Sequence, residues 1–400
     1  MIRRPPRSTL DRSSAASDVY KRQLRMDHIQ KTFKNALRGR PNVQNLFSSA
    51  QALIDSNDTV AIHSFLELGH LPSVSLAMTE DKKVDEWFNL IHQLILQSNF
   101  NLYTLMKQRT KQYGNKPLFQ SITENEITAH SYEEVWQKIQ SIGSYFCSHL
   151  QNDDTVGIFT PNHLNGVLID LACLTYGIRV VPIPLNLSTK HLDYILDHAE
   201  ITHLFMGSNQ ARELLSEGKI SPLSLNAIQL DDHDQWHDFL STCGQTKIIT
   251  PKSSNQQSLA TIMYTSGTTD NPKGIIFSQE NIITKRFARA LALPKIGPED
   301  SFLCYLPLYH TFGRWFEMTG SIFWGSTYTF TESTSLKTLL RDFKIAKPSV
   351  FISIPKRWIQ IQEQVAASIP IENAEDDEIA NLTATITGGN LNWCLSAAFY

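Results

Sequence analysis

A chain of 400 residues with 42% hydrophobic side chains is long enough to bury a sizeable core. Its formal net charge of −3 gives no reason to expect a nucleic acid as partner. The five cysteines are scattered without a C-x-x-C pair, which is typical of reduced thiols in a cytoplasmic protein. The most apolar run, 167–184, is interrupted by Asp170 and Arg179, so we expect no membrane span.

The first 23 residues differ in composition from the rest of the chain. Residues 3–22 are rich in Arg and Ser, and D-V-Y-K-R-Q at 18–23 matches a translated adapter from a sequencing library. A transit peptide is the alternative, but Asp11, Asp18 and the lack of an apolar helical face argue against it. We expect residues 1–23 to be a disordered assembly artefact, with Met26 as a candidate native start.

Residues 24–100 are predicted to form a helical extension of unknown role. Apolar side chains from Val84 to Ile95 recur at helical spacing, which indicates an amphipathic helix. Its apolar face could bind a membrane or a partner. The segment carries few basic residues, however, which argues against a membrane surface, so packing against the rest of the protein is the favoured interpretation.

From residue 101 onward the pattern predicts alternating strands and helices. This rhythm favours the α/β class, with layered parallel sheets flanked by helices. Buried strands are predicted at 155–160, 179–183, 202–206, 259–264, 302–305 and 350–354. Helices are predicted at 165–176, 190–198 and 278–292. The acidic stretch 372–378 is predicted to be a solvated surface insert.

The stretch Y-T-S-G-T-T-D-N-P-K-G at 264–274 lies between the predicted strand 259–264 and the predicted helix 278–292. Hydroxyls, glycine amides and a lysine in a short loop are suited to binding a polyphosphate, and a helix N-terminus would add N–H donors. Its order differs from the G-x-x-x-x-G-K-S/T loop, because Lys273 precedes Gly274. A P-loop NTPase is therefore disfavoured, and an incidental polar turn is the weaker alternative.

This stretch resembles the phosphate loop S/T-S-G-S/T-S/T-G-x-P-K-G of the acyl- and aryl-adenylate-forming (AMP-binding) enzymes, which include the acyl-CoA synthetases. Asp270 departs from the glycine usual there. L-P-L-Y-H at 306–310 is similar to a segment that lines the family's active site. P-S-V-F-I-S-I-P-K-R at 348–357 is similar to a segment of the long-chain fatty acyl-CoA synthetases. G-G-N-L at 388–391 resembles the Gly-Gly strand end that walls the adenine and acyl sites.

The resemblance implies an ATP-dependent ligase that activates a fatty acid as acyl-AMP and transfers it to CoA, with Mg²⁺. A long-chain acid partitions into bilayers, so loose peripheral membrane association fits a cytoplasmic enzyme of this type. Another adenylate-forming ligase, acting on an aryl acid, an amino acid or a carrier protein, is the first alternative. A non-catalytic nucleotide- or acyl-binding protein is the second.

Site residues follow from the same resemblance. Lys273 and His310 are the implied catalytic residues, His310 as a donor to charge that develops near the α-phosphate. The hydroxyl of Thr265 or Thr268 is the implied Mg²⁺ ligand. Arg314 is interpreted as structural, with pairing to a carboxylate as the alternative. Trp315 is interpreted as a core residue, and the alternative that the resemblance implies is an aromatic gate of the fatty-acid tunnel. The implied ATP-binding residues are Thr265, Ser266, Gly267, Thr268, Thr269, Lys273, Gly274, Gly388 and Gly389.

The family's later segments, Y-G-x-S/T-E, T-G-D and a C-terminal domain with a catalytic lysine, do not occur in this sequence. We therefore expect residues 101–400 to be an incomplete large N-terminal domain. On this interpretation the parent protein is the active ligase, and the 400-residue chain alone is inactive.

Overall fold

The computed structural model describes residues 27, 29, 31, 35, 38–185, 187–210, 226–251, 256–265, 271–369 and 375–396. The chain divides into two compact units. The first contains the described residues up to Phe100 together with Phe287–Ile296. The second contains the described residues of Asn101–Arg286 and those from Gly297 onward. The predicted artefact at 1–23 lies outside the described residues.

The first unit is helical. Polar side chains start two of its helices, because Asn42 and Asp58 accept the backbone N–H groups of Asn45 and Ala61. The helices are α1 Val43–Ser56, α2 Thr59–Leu66 with a 3₁₀ turn at Glu67–His70, α3 Pro72–Glu80 and α4 Val84–Ser98.

Helix α4 is the amphipathic helix predicted from the sequence. It buries Trp87, Ile91, Leu94 and Ile95, and it packs against α1 and α2 of the same unit. The Trp87 ring meets the Phe65 ring edge-on at 5.8 Å between centroids. The favoured interpretation, that the apolar face packs within the protein, is confirmed.

The second unit contains two six-stranded sheets with helices between and around the strands. Its strands are β1 Pro117–Thr123, β2 Glu126–Ser131, β3 Thr155–Phe159, β4 Arg179–Pro182, β5 Ile201–Met206, β6 Asn226–Gln229, β7 Leu259–Thr265, β8 Lys273–Ser278, β9 Ser301–Cys304, β10 Thr327–Phe330, β11 Val350–Ser353 and β12 Trp393–Ser396. The remaining helices are α5 Leu102–Tyr113, α6 Tyr132–His149, α7 Leu164–Tyr176, α8 Thr189–His198, α9 His233–Gly244, α10 Gln279–Ala292, a π-helix at Phe312–Met318, α11 Thr319–Trp324, α12 Leu336–Ala346, α13 Pro355–Ala366 and α14 Asp376–Thr387.

Both sheets are mainly parallel, as the sequence predicts. The first has the order β12-β11-β9-β10-β1-β2, and the second has the order β6-β5-β3-β4-β7-β8. Only the terminal pairs β1–β2 and β7–β8 are antiparallel in the described strands. Strand β3 is buried along its whole length, and nearly every residue of α7 is buried as well. Such continuous apolar runs are typical of parallel strands that are covered on both faces.

One sequence-based prediction was wrong at the phosphate loop. Residues 273–278 form strand β8, and helix α10 begins only at Gln279. The loop therefore joins two antiparallel strands, and the helix N-terminus lies at the far end of β8. The run Ile275-Ile276-Phe277 explains this, because β-branched and aromatic side chains favour a strand.

The predicted Gly-Gly strand end was also wrong. Gly388 ends helix α14 with φ 85°, Gly389 follows with φ 78°, and the next strand starts at Trp393. Glycine is favoured at a left-handed helix end because it has no Cβ. The acidic residues Asp376–Glu378 form the exposed first turn of α14, where negative charge suits the helix dipole.

Within the described ranges, every helix is too short or too polar to cross a membrane.

Candidate active site

The β7–β8 hairpin carries the predicted phosphate loop. Thr265 pairs with Lys273 across the hairpin. The Thr265 hydroxyl donates a hydrogen bond of 3.5 Å to the Lys273 carbonyl oxygen. The two ends of the loop are thus held side by side. Ser266, Gly267, Thr268 and Thr269 lie outside the described residues, so their phosphate and Mg²⁺ contacts stay predictions.

The side chains at the mouth of this loop suit an anionic ligand. Thr265 and Lys273 are both exposed. Among the residues that the structure describes, no carboxylate forms an ion pair with the Lys273 ammonium group. The ammonium group is able to donate several hydrogen bonds to a polyphosphate, and the Thr265 hydroxyl can add one if it turns from the Lys273 carbonyl to the ligand.

Gly274 has a packing role that the sequence interpretation did not include. A Cβ at this position would lie 2.9 Å from Ile262 Cγ2 and 3.4 Å from the ring of Tyr264, its partner across the hairpin. The Tyr264 hydroxyl lies 2.7 Å from Nδ1 of His198. Burial raises the pKa of Tyr264 to about 12, so the phenol that shares this hydrogen bond stays protonated. The approach to the Tyr264 ring is an ordinary contact, so the side chain for which Gly274 leaves space is Ile262.

His310 lies in a turn between β9 and the π-helix. Its backbone N–H donates to the Pro307 carbonyl at 3.0 Å, and Phe312 N–H donates to its Nδ1 at 3.4 Å. Desolvation lowers the pKa of the His310 imidazole below its usual range, so the ring is neutral at pH 7. Since Nδ1 accepts a hydrogen bond, Nε2 carries the proton. The exposed ring thus presents a neutral N–H donor.

Asn162 braces the turn that carries His310. It follows β3, and its Nδ2 donates to the Leu306 carbonyl at 2.9 Å while its Oδ1 accepts Leu308 N–H at 2.9 Å. The sequence interpretation missed this residue. The sequence pattern that could have identified Asn162 is T-P-N directly after a buried strand, because functional polar groups gather at the carboxyl ends of parallel strands.

The π-helix that follows His310 is packed tightly against the turn. A Cβ on Gly313 would lie 2.4 Å from the Pro307 carbonyl oxygen, so only glycine fits there. Arg314 and Glu317 are fully buried on this short helix, and Trp315 is buried beside them. Trp315 is thus a buried core residue, and Arg314 is buried where its charge requires a partner.

Each buried ionisable group of the π-helix has a partner. Arg314 Nε donates to Asp170 Oδ2 at 2.9 Å, a second guanidinium nitrogen bonds the other oxygen, and Nη1 donates to Thr261 Oγ1 at 2.8 Å. Burial raises the pKa of the Glu317 carboxyl well above its usual range, so Glu317 is neutral. The Tyr328 hydroxyl lies 3.3 Å from Glu317 Oε2. In the sequence, Asp170 is visible only as a break in an apolar run.

The glycines at 388 and 389 lie on a different element. A Cβ on Gly388 would lie 2.2 Å from the Phe343 carbonyl oxygen at the end of α12, while nothing lies within 4 Å of one on Gly389. Gly388 therefore allows α14 to end close to α12. Their contact with adenine stays a prediction.

A cleft of about 350 Å³, counted with its solvent-open mouth, lies at the carboxyl ends of β3 and β4. Leu308 and Tyr309, which precede His310, form part of its wall. Most of the wall is apolar, with Ile158, Val167 and Ile183 among its members. His163 also lines it, and burial lowers the pKa of this imidazole, so the ring is neutral at pH 7.

Taken by element, the predicted site residues fall into three groups. The hairpin brings Thr265, Lys273 and Gly274 together, the turn after β9 carries His310, and the end of α14 carries the glycine pair. Residues 106–391, more than half of the chain, match the model of the family described as AMP-binding enzyme. The chain belongs to the AMP-binding enzyme family.

Curated relatives of this AMP-binding enzyme are long-chain acyl-CoA ligases. It is 28% identical over 260 residues to long-chain-fatty-acid–CoA ligase 5 of Rattus norvegicus, covering 59% of this chain and 38% of that protein. It is 27% identical over 249 residues to long-chain-fatty-acid–CoA ligase 1 of Homo sapiens, covering 56% of this chain and 35% of that protein. The chain thus spans well under half the length of these relatives.

Solved structures confirm the fold. The o-succinylbenzoate coenzyme A synthetase of Bacillus subtilis, in complex with AMP, matches with TM-score 0.55 at 19% identity, over 74% of this chain and 67% of that one. The adenylation domain of a carboxylate reductase from Mycobacterium chelonae matches with TM-score 0.63 at 16% identity, over 89% of this chain and 60% of that one. At these identities the likeness concerns the fold alone.

Proposed function

We propose that this AMP-binding enzyme activates a long-chain fatty acid with ATP and transfers the acyl group to CoA. The observation that carries the proposal is the mouth of the β7–β8 hairpin. There the exposed hydroxyl of Thr265 and the exposed ammonium group of Lys273, which forms no ion pair with a described carboxylate, flank a loop with the adenylate-forming sequence pattern. Cytoplasmic location with loose membrane attachment belongs to the same proposal.

The chemistry requires electrostatic stabilisation more than covalent catalysis. Attack of a carboxylate on the α-phosphate of ATP gathers negative charge on that phosphate and on the departing pyrophosphate. Lys273 and the Thr265 hydroxyl would hold the β- and γ-phosphate oxygens, and the phosphate-loop residues 266–269 would add further donors. A bound Mg²⁺, for which the Thr265 or Thr268 hydroxyl is the proposed ligand, would neutralise part of that charge.

His310 supplies a neutral donor in this scheme. Its Nε2–H would donate to oxygen at the reacting phosphate or carboxylate, where charge develops. Gly388 and Gly389 are the proposed wall of the adenine site.

Two observations support a long apolar acid as substrate. The curated relatives named above are long-chain fatty acid ligases. The cleft beside Leu308 and Tyr309 has a mainly apolar wall, which suits a hydrocarbon better than a polar or charged acid. The structural neighbours act on different acids, so an aryl acid is the alternative substrate class.

The test is ATP–pyrophosphate exchange by the complete gene product, with a series of fatty acids of increasing chain length, benzoate and aspartate. The proposal predicts exchange that depends on fatty acid and is greatest for long chains. Exchange with benzoate or aspartate but not with fatty acids would show that the substrate is an aryl acid or an amino acid instead of a fatty acid. No exchange with any acid would refute an adenylate-forming activity.

A further inference from the structure

A rare helix type directly follows the proposed catalytic histidine. The seven residues Phe312–Met318 form a π-helix, and π-helical turns occur frequently at functional sites. Arg314 N–H donates to the His310 carbonyl at 3.0 Å, so this helix is the direct continuation of the histidine turn. Whatever fixes the π-helix therefore fixes His310.

Arg314 connects this helix to the strand that leads into the phosphate loop. Its Nη1 donates to Thr261 Oγ1 at 2.8 Å, and Thr261 lies on β7. Thr265, at the mouth of the loop, lies four residues further along the same strand, on the same face. A single buried guanidinium thus joins the two elements that carry the proposed catalytic groups.

Asp170 of α7 holds that guanidinium in one orientation. The carboxylate accepts two bonds from Arg314, in the forked geometry that leaves a guanidinium plane little freedom. Arg314 also stacks on the Trp315 ring, with its guanidinium carbon 4.4 Å from the ring centroid. The side chain of Thr261 is bound in turn to the Val180 carbonyl of β4. The arginine therefore bonds α7 and β7 directly, and it is linked to β4 through Thr261.

Stability alone is a poor explanation for this arrangement. Burial of an ion pair costs desolvation energy, and well-packed apolar residues at such sites are often equally stabilising. A bidentate ion pair gives directional bonds that apolar packing lacks. The ion pair is therefore better explained by the orientation that it gives to neighbouring groups than by stabilisation of the fold.

We propose that Arg314 is a positioning residue, which sets His310 relative to β7 and the phosphate loop. This inference rests on the proposed function, because it acts through the donor role of His310. The expected effect on structure does not depend on that function. Removal of Arg314 should loosen the turn at 306–312 whether or not the protein is a ligase.

The main variant removes both charges together. Asp170→Leu with Arg314→Met leaves no uncompensated buried charge, so the fold is retained. Arg179→Met is the matched control, because Arg179 lies on neighbouring β4, where it donates to Thr155 Oγ1 at 3.3 Å and approaches exposed Glu200 at 4.0 Å. Should the paired variant not fold, Arg314→Lys replaces it, since lysine keeps the charge but lacks the planar fork that reaches Asp170 and Thr261 together.

Amide hydrogen exchange is the readout that does not need activity. The amides of His310 and Arg314 are hydrogen-bonded within the turn and the π-helix. In the paired variant we expect their exchange to become about tenfold faster or more, with no change in the Arg179→Met control. Unchanged protection in the variant would overturn the inference, even if the enzyme proves to be a fatty acid ligase.

A double-mutant cycle with His310→Ala is the functional readout on the complete gene product. With His310 present, we expect the paired variant to lower kcat about 100-fold with little change in the KM for ATP. With His310→Ala, the same substitutions should lower kcat by no more than about twofold further, because the residue through which they act is gone. Additive losses would indicate a general structural role and refute positioning through His310. Absence of exchange in the unsubstituted protein would refute the proposed function and leave the hydrogen-exchange result to decide on Arg314.

Discussion

Replacement of Asn162 by alanine tests how the histidine turn is built. The substitution removes the donor to the Leu306 carbonyl and the acceptor of Leu308 N–H, both at 2.9 Å. It leaves two backbone groups of a partly buried turn without these partners. Each bond contributes about 1 kcal/mol, and an unsatisfied buried group adds to the loss. We expect the free energy of unfolding of the second unit to fall by about 2–3 kcal/mol.

Asn165→Ala is the matched control. Asn165 lies in the first turn of α7, three residues after Asn162, but its side-chain amide makes one bond, to the Leu230 carbonyl at 2.8 Å, away from the turn. Its loss should cost about 1 kcal/mol. In thermal unfolding followed by circular dichroism, we expect Tm to fall by about 5 °C for Asn162→Ala and about 2 °C for Asn165→Ala.

Activity separates the two variants further. In the complete gene product, Asn162→Ala should lower kcat for ATP–pyrophosphate exchange about tenfold or more, since it releases the turn that holds His310. Asn165→Ala should leave kcat unchanged. Equal Tm shifts and equal kcat values for the two variants would refute the reasoning that Asn162 braces the turn.

Three further outcomes follow from the structure. Glu317→Gln removes a carboxyl group that stays protonated in the folded chain but loses its proton above about pH 4.5 in the unfolded chain. The free energy of unfolding of the wild type should therefore fall with rising pH by about 1.4 kcal/mol per pH unit until the folded-state pKa of Glu317 is reached. The Tm of Glu317→Gln should accordingly exceed that of the wild type by a margin that grows from pH 5 to 8. A Tm difference that does not change with pH would contradict this. Gly388→Ala should lower Tm clearly more than Gly389→Ala, because only Gly388 faces a backbone oxygen at 2.2 Å; equal shifts would show that α14 moves freely. Gly313→Ala should speed amide exchange at His310, because its Cβ would lie 2.4 Å from the Pro307 oxygen; unaltered exchange would show that the turn can yield.

Periodicity predicted most of the fold. The strands 155–160 and 202–206 were predicted to within a residue of the observed β3 and β5, and α7 was predicted to begin one residue late. These are long or fully apolar runs, where burial alone decides the structure. Strand β8 was missed because six residues after a glycine-rich loop carry too little pattern. The segment before Gly388 was misread because its prediction rested on the resemblance of G-G-N-L to a strand end, whereas the residues before it form α14 and pack against α12.

Site residues were predictable where a motif marks them and not where contacts define them. Lys273 and His310 stand in recognisable segments. Asn162 and Thr261 do not, since their roles depend on partners more than 50 residues away in the sequence. Asp170 did carry a signal. An isolated acid inside a buried apolar helix requires a cationic partner, but only the fold identifies that partner as Arg314.

The most direct measurement of the central claim is ATP binding by the purified 400-residue chain, in wild-type form and as Lys273→Ala and Lys285→Ala. Lys285 is an exposed lysine on α10, so it controls for the loss of one positive charge. We expect wild-type binding to be measurable in equilibrium dialysis, unchanged in Lys285→Ala, and weaker by about 10- to 100-fold in Lys273→Ala, as befits one charge-assisted contact to phosphate. Equal affinity of the two variants, or no ATP binding by the wild-type chain, would contradict the assignment of the hairpin mouth as the nucleotide site.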